Sequence, residues 1–190
     1  MRRREFSASC RLLKVTHGEV LNYRDGALDK VDFYSVVGEL TRKVREIKPQ
    51  VVITLGPEGG LTSHPDHAMA GLIATLAFHW AGRRDRPRNQ SKDGAAPFRP
   101  QKLYYATATF TIPDRQPVSL APVSAVIDIA EFLETKIAAF KQHSSQTPLF
   151  SLFEGLVRQR GAKEYFHLAA SSTPRVAEQE TDLLAGVANE

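Results

Sequence analysis

The sequence predicts an α/β fold with a mainly parallel sheet, on three observations. Val51-Val52-Ile53-Thr54-Leu55 is a continuous β-branched run of the kind buried on both faces in a parallel sheet. Segments with helical apolar spacing stand on both sides of it. The same helix-strand alternation then repeats toward the C-terminus. With 190 residues, 42% apolar and 24% charged, the chain has the size and core material of one compact domain. That domain is expected over residues 1–170, with a polar tail over 171–190. No internal repeat is present.

Each element has its own reason. Phe6, Cys10 and Leu13 mark a short amphipathic helix over 5–14. Phe33, Val36, Val37, Leu40, Val44 and Ile47 fall three and four apart over 31–48, and Pro49 ends that helix. The strand at 51–55 is broken by Gly56-Pro57-Glu58-Gly59-Gly60. A helix then starts at Ser63 or His64, because Pro65 suits a first turn, and Leu72, Ile73, Leu76, Ala77 and Trp80 give its buried stripe. Strands are expected at 103–110 and 123–127. Asp128 with Glu131 resembles a capping box for a helix carrying Leu133, Ile137 and Phe140. A short helix over 150–159 and a strand at 165–168 complete the pattern.

Composition removes several function classes. The net charge of +4 comes from 25 basic against 21 acidic residues. Residues 82–100 alone hold six basic residues (Arg83, Arg84, Arg86, Arg88, Lys92, Arg99) against Asp85 and Asp93, which accounts for the whole excess. This Pro/Gly/Ser-rich stretch is expected to be a solvated, mobile surface loop, with no general basic face for nucleic acid. The longest apolar-rich stretch, 68–81, is short of the roughly 20 residues a membrane span needs, and Arg83 and Arg84 follow it. Met1-Arg2-Arg3-Arg4 leads into Glu5 without an apolar segment, so no signal peptide is read and a cytoplasmic location is expected. The single cysteine, Cys10, excludes a disulfide framework and a multi-thiolate metal site, and reads as a buried, inert thiol.

Ser63-His64-Pro65-Asp66-His67 is the one place where reactive side chains converge. At a helix start, His64 and His67 lie toward the same side. They follow a glycine-rich turn at the C-terminal end of a strand, where open α/β sheets place their ligands. Imidazole is a suitable zinc ligand, and a second imidazole serves as a proton donor. The same residues also fit a helix cap, with both histidines bonded to Glu58 or to backbone. His17, His79 and His167 read as ordinary packing or surface residues, and His143 as a structural or pocket-edge residue.

The run Val51 to Gly60 followed by His64-Pro65-Asp66-His67-Ala68 resembles the second signature of the PIG-L/LmbE-like zinc-dependent N-acetylglucosaminyl deacetylases. Arg3-Arg4-Glu5-Phe6 with Leu12-Leu13-Lys14-Val15 is similar to the family's arginine-glutamate helix, Tyr23-Arg24-Asp25-Gly26 to its following turn, Leu103-Tyr104-Tyr105 to its next strand, and Lys136 to Gln146 to its late helix. The resemblance implies a Rossmann-like three-layer sandwich and a cytoplasmic hydrolase acting on a small amino sugar conjugate. In the family, a water on zinc attacks the acetamide of an N-acetyl amino sugar, releasing acetate and a free amine. Carried over, His67 is a metal ligand, His64 is the imidazole that stabilises the oxyanion or protonates the amine, and Asp66 is the carboxylate that orients His64.

The family's first signature, a His-Pro-Asp-Asp stretch supplying two zinc ligands and the general base, is not in this sequence. The first strand-helix-strand, on the order of 50–60 residues by ordinary element lengths, is missing with it. The chain is therefore expected to be a truncated deacetylase with an incomplete zinc site, inactive by itself. Unpaired strand edges left by the loss invite association, so an oligomer is possible. The alternative is a non-catalytic carbohydrate-binding or interaction domain on the same fold.

Overall fold

The computed structural model describes residues 1–86, 95–112, 119–159, 161–173 and 178–188. The expected mobile loop at 82–100 falls partly outside these residues. The described chain divides into two compact units, one of residues 1–22 and 128–164, the other of residues 23–127 and 165–190.

The larger unit carries α2 (Phe33–Ile47), β1 (Val51–Leu55), α3 (Pro65–Ala81) and β2 (Lys102–Thr107). It also carries most of β3 (Ala125–Asp128) and β4 (Lys163–Ser171). Helix α2 is capped at its start by Asp32, whose side chain accepts from Ser35 N at 3.2 Å. It ends where Lys48 turns left-handed (φ 53°) ahead of Pro49. Its apolar face packs on α3, where Val36, Val37 and Ile73 form a buried cluster flanked by Leu40, Leu76 and Trp80. Arg45, 2% exposed, donates to the carbonyls of Ala81, Arg83 and Arg86 at 3.0, 2.6 and 2.6 Å. It therefore satisfies the last carbonyl of α3 and ties down the chain that follows the helix.

The sheet is mixed, in the order β1-β2-β4-β3. β1 and β2 run parallel with Leu55 opposite Ala106, as expected, whereas β4 lies antiparallel to β2. β1 is an edge strand and Ile53 is 51% exposed. The expectation that this run is buried on both faces is thus corrected: the β-branched pattern specifies a strand, but not its place in the sheet. The buried face of α3 is also rotated from the expected stripe. It comprises Gly71, Ile73, Ala77, Phe78 and Ala81, and Leu72 is 42% exposed. Small residues face the sheet because a Cβ on Gly71 would lie 2.4 Å from the Leu55 carbonyl oxygen.

Residues 178–188, expected within a polar tail, pack onto this unit. Lys102, 3% exposed, donates to Glu180 at 2.6 Å and to the Tyr104 hydroxyl at 2.9 Å. The Tyr104 hydroxyl also bonds Glu180. Ala125 and Glu180 form a parallel bridge, and the Gln101 amide pairs with both backbone groups of Ala188. A buried ammonium requires a partner, and the tail supplies it.

The smaller unit holds α1 (Arg2–Leu12), α4 (Leu133–Lys141) and α5 (Phe150–Gln159). The Glu5 carboxylate is buried and accepts from Ser144 Oγ, Ser145 N and Ser145 Oγ at 2.7, 2.9 and 2.7 Å. These donors, the Ser145 and Ser144 hydroxyls first, hold its pKa below the usual carboxylate range, and His143 adds a smaller contribution. Phe140 stacks on Phe153 with centroids 3.9 Å apart. The expected capping box does not form. Asp128 Oδ1 accepts instead from Ala130 N at 2.8 Å and starts a 3-10 turn over Ala130–Phe132, so α4 begins only at Leu133. Cys10 is half-buried, correcting the fully buried thiol expected from the sequence.

Gly71→Ala tests the close approach of α3 to β1. The overlap is with backbone, which cannot rotate away, so a loss of about 2 kcal/mol or more is expected in urea unfolding. Wild-type stability in that variant would show that the helix is free to shift.

Candidate active site

The site forms where β1 ends. Gly56 to Gly59 makes a turn closed by Gly59 N donating to Gly56 O at 3.0 Å, and Gly59 and Gly60 adopt φ of 81° and 62°. These are values a side chain resists. A Cβ on Gly59 would also stand 2.8 Å from the His64 carbonyl oxygen. The glycines thus let the turn lie directly against the start of α3. A short 3-10 turn, Gly60–Thr62, then ends at Ser63, which is itself left-handed with φ 49°. The Glu58 carboxylate folds back over Gly56, where a Cβ would come within 2.1 Å of Oε2, and Oε1 is buried without a hydrogen-bond partner among the described residues.

All three predicted residues meet here. His64 is the N-cap of α3, and its Nδ1 accepts from the backbone N–H of Asp66 at 3.1 Å. His67, one turn into the helix, has its Nδ1 3.1 Å from Thr62 Oγ1. The two imidazoles are exposed, with ring centroids 5.1 Å apart and planes tilted by 44°. The capping reading is thus realised for His64, through backbone and not through Glu58. Asp66 connects to His64 by its N–H, while its carboxylate accepts from Gly26 N at 2.6 Å and Leu28 N at 3.0 Å. Its pKa is lowered, chiefly by the Leu28 N–H and then by the Gly26 N–H, with smaller contributions from His64 and His67. Helix N-termini also favour a carboxylate. Asp66 therefore fastens the 26–28 turn to the start of α3.

Sequence reading assigned no role to Thr62 or to the amides of Gly26 and Leu28. A hydroxyl five residues before a histidine carries no periodic signal, and backbone donors have none. His143 lies in the smaller unit, near Glu5. His167 lies on β4, its Nδ1 2.8 Å from the Pro122 carbonyl.

A catalytic zinc commonly takes three protein ligands and a water. Among the described residues no three His, Cys, Asp or Glu side chains converge, and both Asp66 oxygens are committed to amides. These residues offer at most the two imidazoles and do not complete a zinc site. No helix among the described residues is long and apolar enough to cross a membrane.

This architecture, with paired histidines at a helix start beyond a parallel strand, is that of an α/β protein with a mixed sheet. The family model of PIG-L, GlcNAc-PI de-N-acetylase, matches residues 1–78, which include the whole site. Relatives extend the likeness. The chain is 27% identical to 1D-myo-inositol 2-acetamido-2-deoxy-alpha-D-glucopyranoside deacetylase 2 of Catenulispora acidiphila, over 96% of the chain and 76% of that protein. It is 30% identical to the corresponding deacetylase of Streptomyces avermitilis, over 88% of the chain and 64% of that protein. Among solved structures, N,N'-diacetylchitobiose deacetylase from Pyrococcus horikoshii matches with TM-score 0.71 and 23% identity, over 88% of the chain and 62% of that chain. A conserved protein from Thermus thermophilus matches with TM-score 0.69 and 22% identity, over 92% and 76%. At these identities the two structures speak for the fold alone. The PIG-L model thus matches the N-terminal part of the chain, and the likeness to the named deacetylases runs over most of its length.

Two outcomes are expected. His64→Ala loses the cap and about 1 kcal/mol of stability, whereas His64→Asn, a good capping residue, keeps it. Equal unfolding midpoints for the two variants would remove the capping role. For Asp66 the lowered pKa fixes the sign. Its contribution is full at neutral pH and is lost as pH falls through its folded-state pKa. Asp66→Asn should have a lower melting temperature at pH 7 and a shallower fall toward pH 3 than wild type. Parallel curves would contradict the assignment.

Proposed function

We propose that this chain serves zinc-dependent N-deacetylation, the hydrolysis of the acetamide of an N-acetylglucosamine-type amino sugar conjugate. The observation that carries the reading is the histidine pair at the N-terminus of α3, at the end of a parallel strand and inside the segment matched by the PIG-L model. The relatives named above as deacetylases of an acetamido sugar support the substrate class.

The reaction adds water across the amide. A carbon–oxygen bond forms at the carbonyl, the carbon–nitrogen bond breaks, and acetate and an amine leave. Because His64 Nδ1 accepts a backbone N–H, the neutral ring carries its proton at Nε2. The residue is exposed, and that N–H is suited to donate to the oxygen that gains charge or to the departing nitrogen. The backbone N–H groups of the first turn of α3 add a favourable field for developing negative charge. His67 is the proposed zinc ligand of this chain. The other donors a zinc needs are not among the described residues.

The test pairs metal and sugar. Zinc uptake by the purified protein, measured by equilibrium dialysis, should fall about tenfold or more in His67→Ala and stay unchanged in His64→Ala. Equal uptake by wild type and His67→Ala would end the ligand role. The chain by itself is proposed to be inactive; where the other zinc donors and the general base are supplied, amine release from N-acetylglucosaminides should be slowed by His64→Ala with zinc still bound. Chelator-insensitive sugar binding without amine release would instead favour a carbohydrate-binding domain.

A further inference from the structure

We infer that the cleft beyond the end of β2 is the subsite for the aglycone of the amino sugar conjugate, and that it selects an uncharged group with an apolar face. The inference rests on the reading of the chain as serving deacetylation of such a conjugate. It adds which part of the substrate this segment meets and what chemistry it accepts.

The cleft adjoins the histidine site. β1 and β2 are parallel neighbours with Leu55 opposite Ala106, so the chain after Thr107 leaves the sheet beside the glycine turn that follows β1. Adjacent strands lie about 4.8 Å apart, and β2 packs beside the 3-10 turn Gly60–Thr62 that leads into His64. Residues 108–111 form one wall and residues 120–123 the other, around a volume of about 440 Å³. That volume is in the range of small-molecule sites. A group attached to a sugar at His64 reaches the cleft by extending one strand across the sheet.

The second wall is tied to two strands. Thr107 Oγ1 donates to the Ala121 carbonyl at 2.8 Å, and His167 Nδ1 donates to the Pro122 carbonyl at 2.8 Å. Carbonyls only accept, so the direction of both bonds is settled. Ser124 N donates to the Phe166 carbonyl at 2.9 Å, and Ser124 Oγ accepts from Leu168 N at 2.6 Å. β2 and β4 thus hold this wall in place before a ligand arrives, which lowers the ordering cost of binding.

The lining sets the ligand class. Phe110, Leu120 and Val123 supply apolar surface, Thr109 and Thr111 supply hydroxyls, and none of the lining side chains ionises. A phosphate or carboxylate entering here would give up water without meeting a cation. An aliphatic or aromatic face gains by leaving water.

The experiment compares three probes by NMR titration of the purified protein: the methyl glycoside of N-acetylglucosamine, its benzyl glycoside and its anomeric phosphate. The benzyl glycoside should bind about tenfold more tightly than the methyl glycoside, and the phosphate more weakly than the benzyl glycoside. Ala121→Trp, which fills the cleft, should abolish the benzyl advantage and leave the methyl glycoside unchanged. Thr109→Lys alters an exposed residue, so it tests the charge argument without a packing change, and it should bind the phosphate about threefold more tightly than wild type does. Equal binding of the methyl and benzyl glycosides, a benzyl advantage that survives in Ala121→Trp, or a phosphate affinity indifferent to Thr109→Lys overturns the inference. Failure of the amino sugar reading shows differently, as binding of none of the three probes by wild type.

Discussion

The structure of the larger unit depends on how closely the backbone of α3 approaches the end of β1. At Gly71 a single added carbon would stand 2.4 Å from the Leu55 carbonyl oxygen and 2.9 Å from that of Gly56. Helix and strand are therefore in backbone contact at that point. The approach dictates which face of α3 is buried, with Ala77 and Ala81 continuing the small-residue side. It also brings the helix start back over the glycine turn. There Gly59 meets the His64 carbonyl under a second steric limit of the same kind. The site histidines are carried on a helix end that two glycines lock against the strand it follows.

What the sequence disclosed divides along physical lines. Signals that act within a few residues were legible: the 51–55 strand, Pro49 as a stop, Pro65 in the first turn of α3, the helix at 150–159, and the grouping of His64, Asp66 and His67. Properties set by distant partners were not. The β-branched run says strand, but whether Ile53 is covered depends on what lies beside β1 in the sheet. Leu72 belongs to a good helical stripe, yet Gly71 turns it outward. Asp128 and Glu131 have capping-box spacing, but Asp128 uses its oxygen two residues on and starts a 3-10 turn. The packing of 178–188 follows from Lys102, a buried ammonium that needs Glu180, a pairing 78 residues apart.

The carboxylates show the same division. Glu5 and Asp66 carry identical charge and both have lowered pKa values, each held chiefly by neutral hydrogen-bond donors. Glu5 gathers hydroxyls and an amide from residues 144 and 145. Asp66 gathers two amides from residues 26 and 28. For both, nearby imidazoles add only a smaller contribution. The family resemblance points to Asp66 as the group that orients His64, and its carboxylate also holds the 26–28 backbone turn.

The histidine pair is in consequence a local assembly. His64 takes its partner from two residues ahead, and His67 from five residues behind. Both of these partners lie within residues 62–67. Rings held this way are ordered before any further group arrives, so less ordering cost falls on a step that uses them. The direction in which each imidazole points is encoded in six consecutive residues. The number of ligands is not, because ligand count depends on groups brought from elsewhere in a fold.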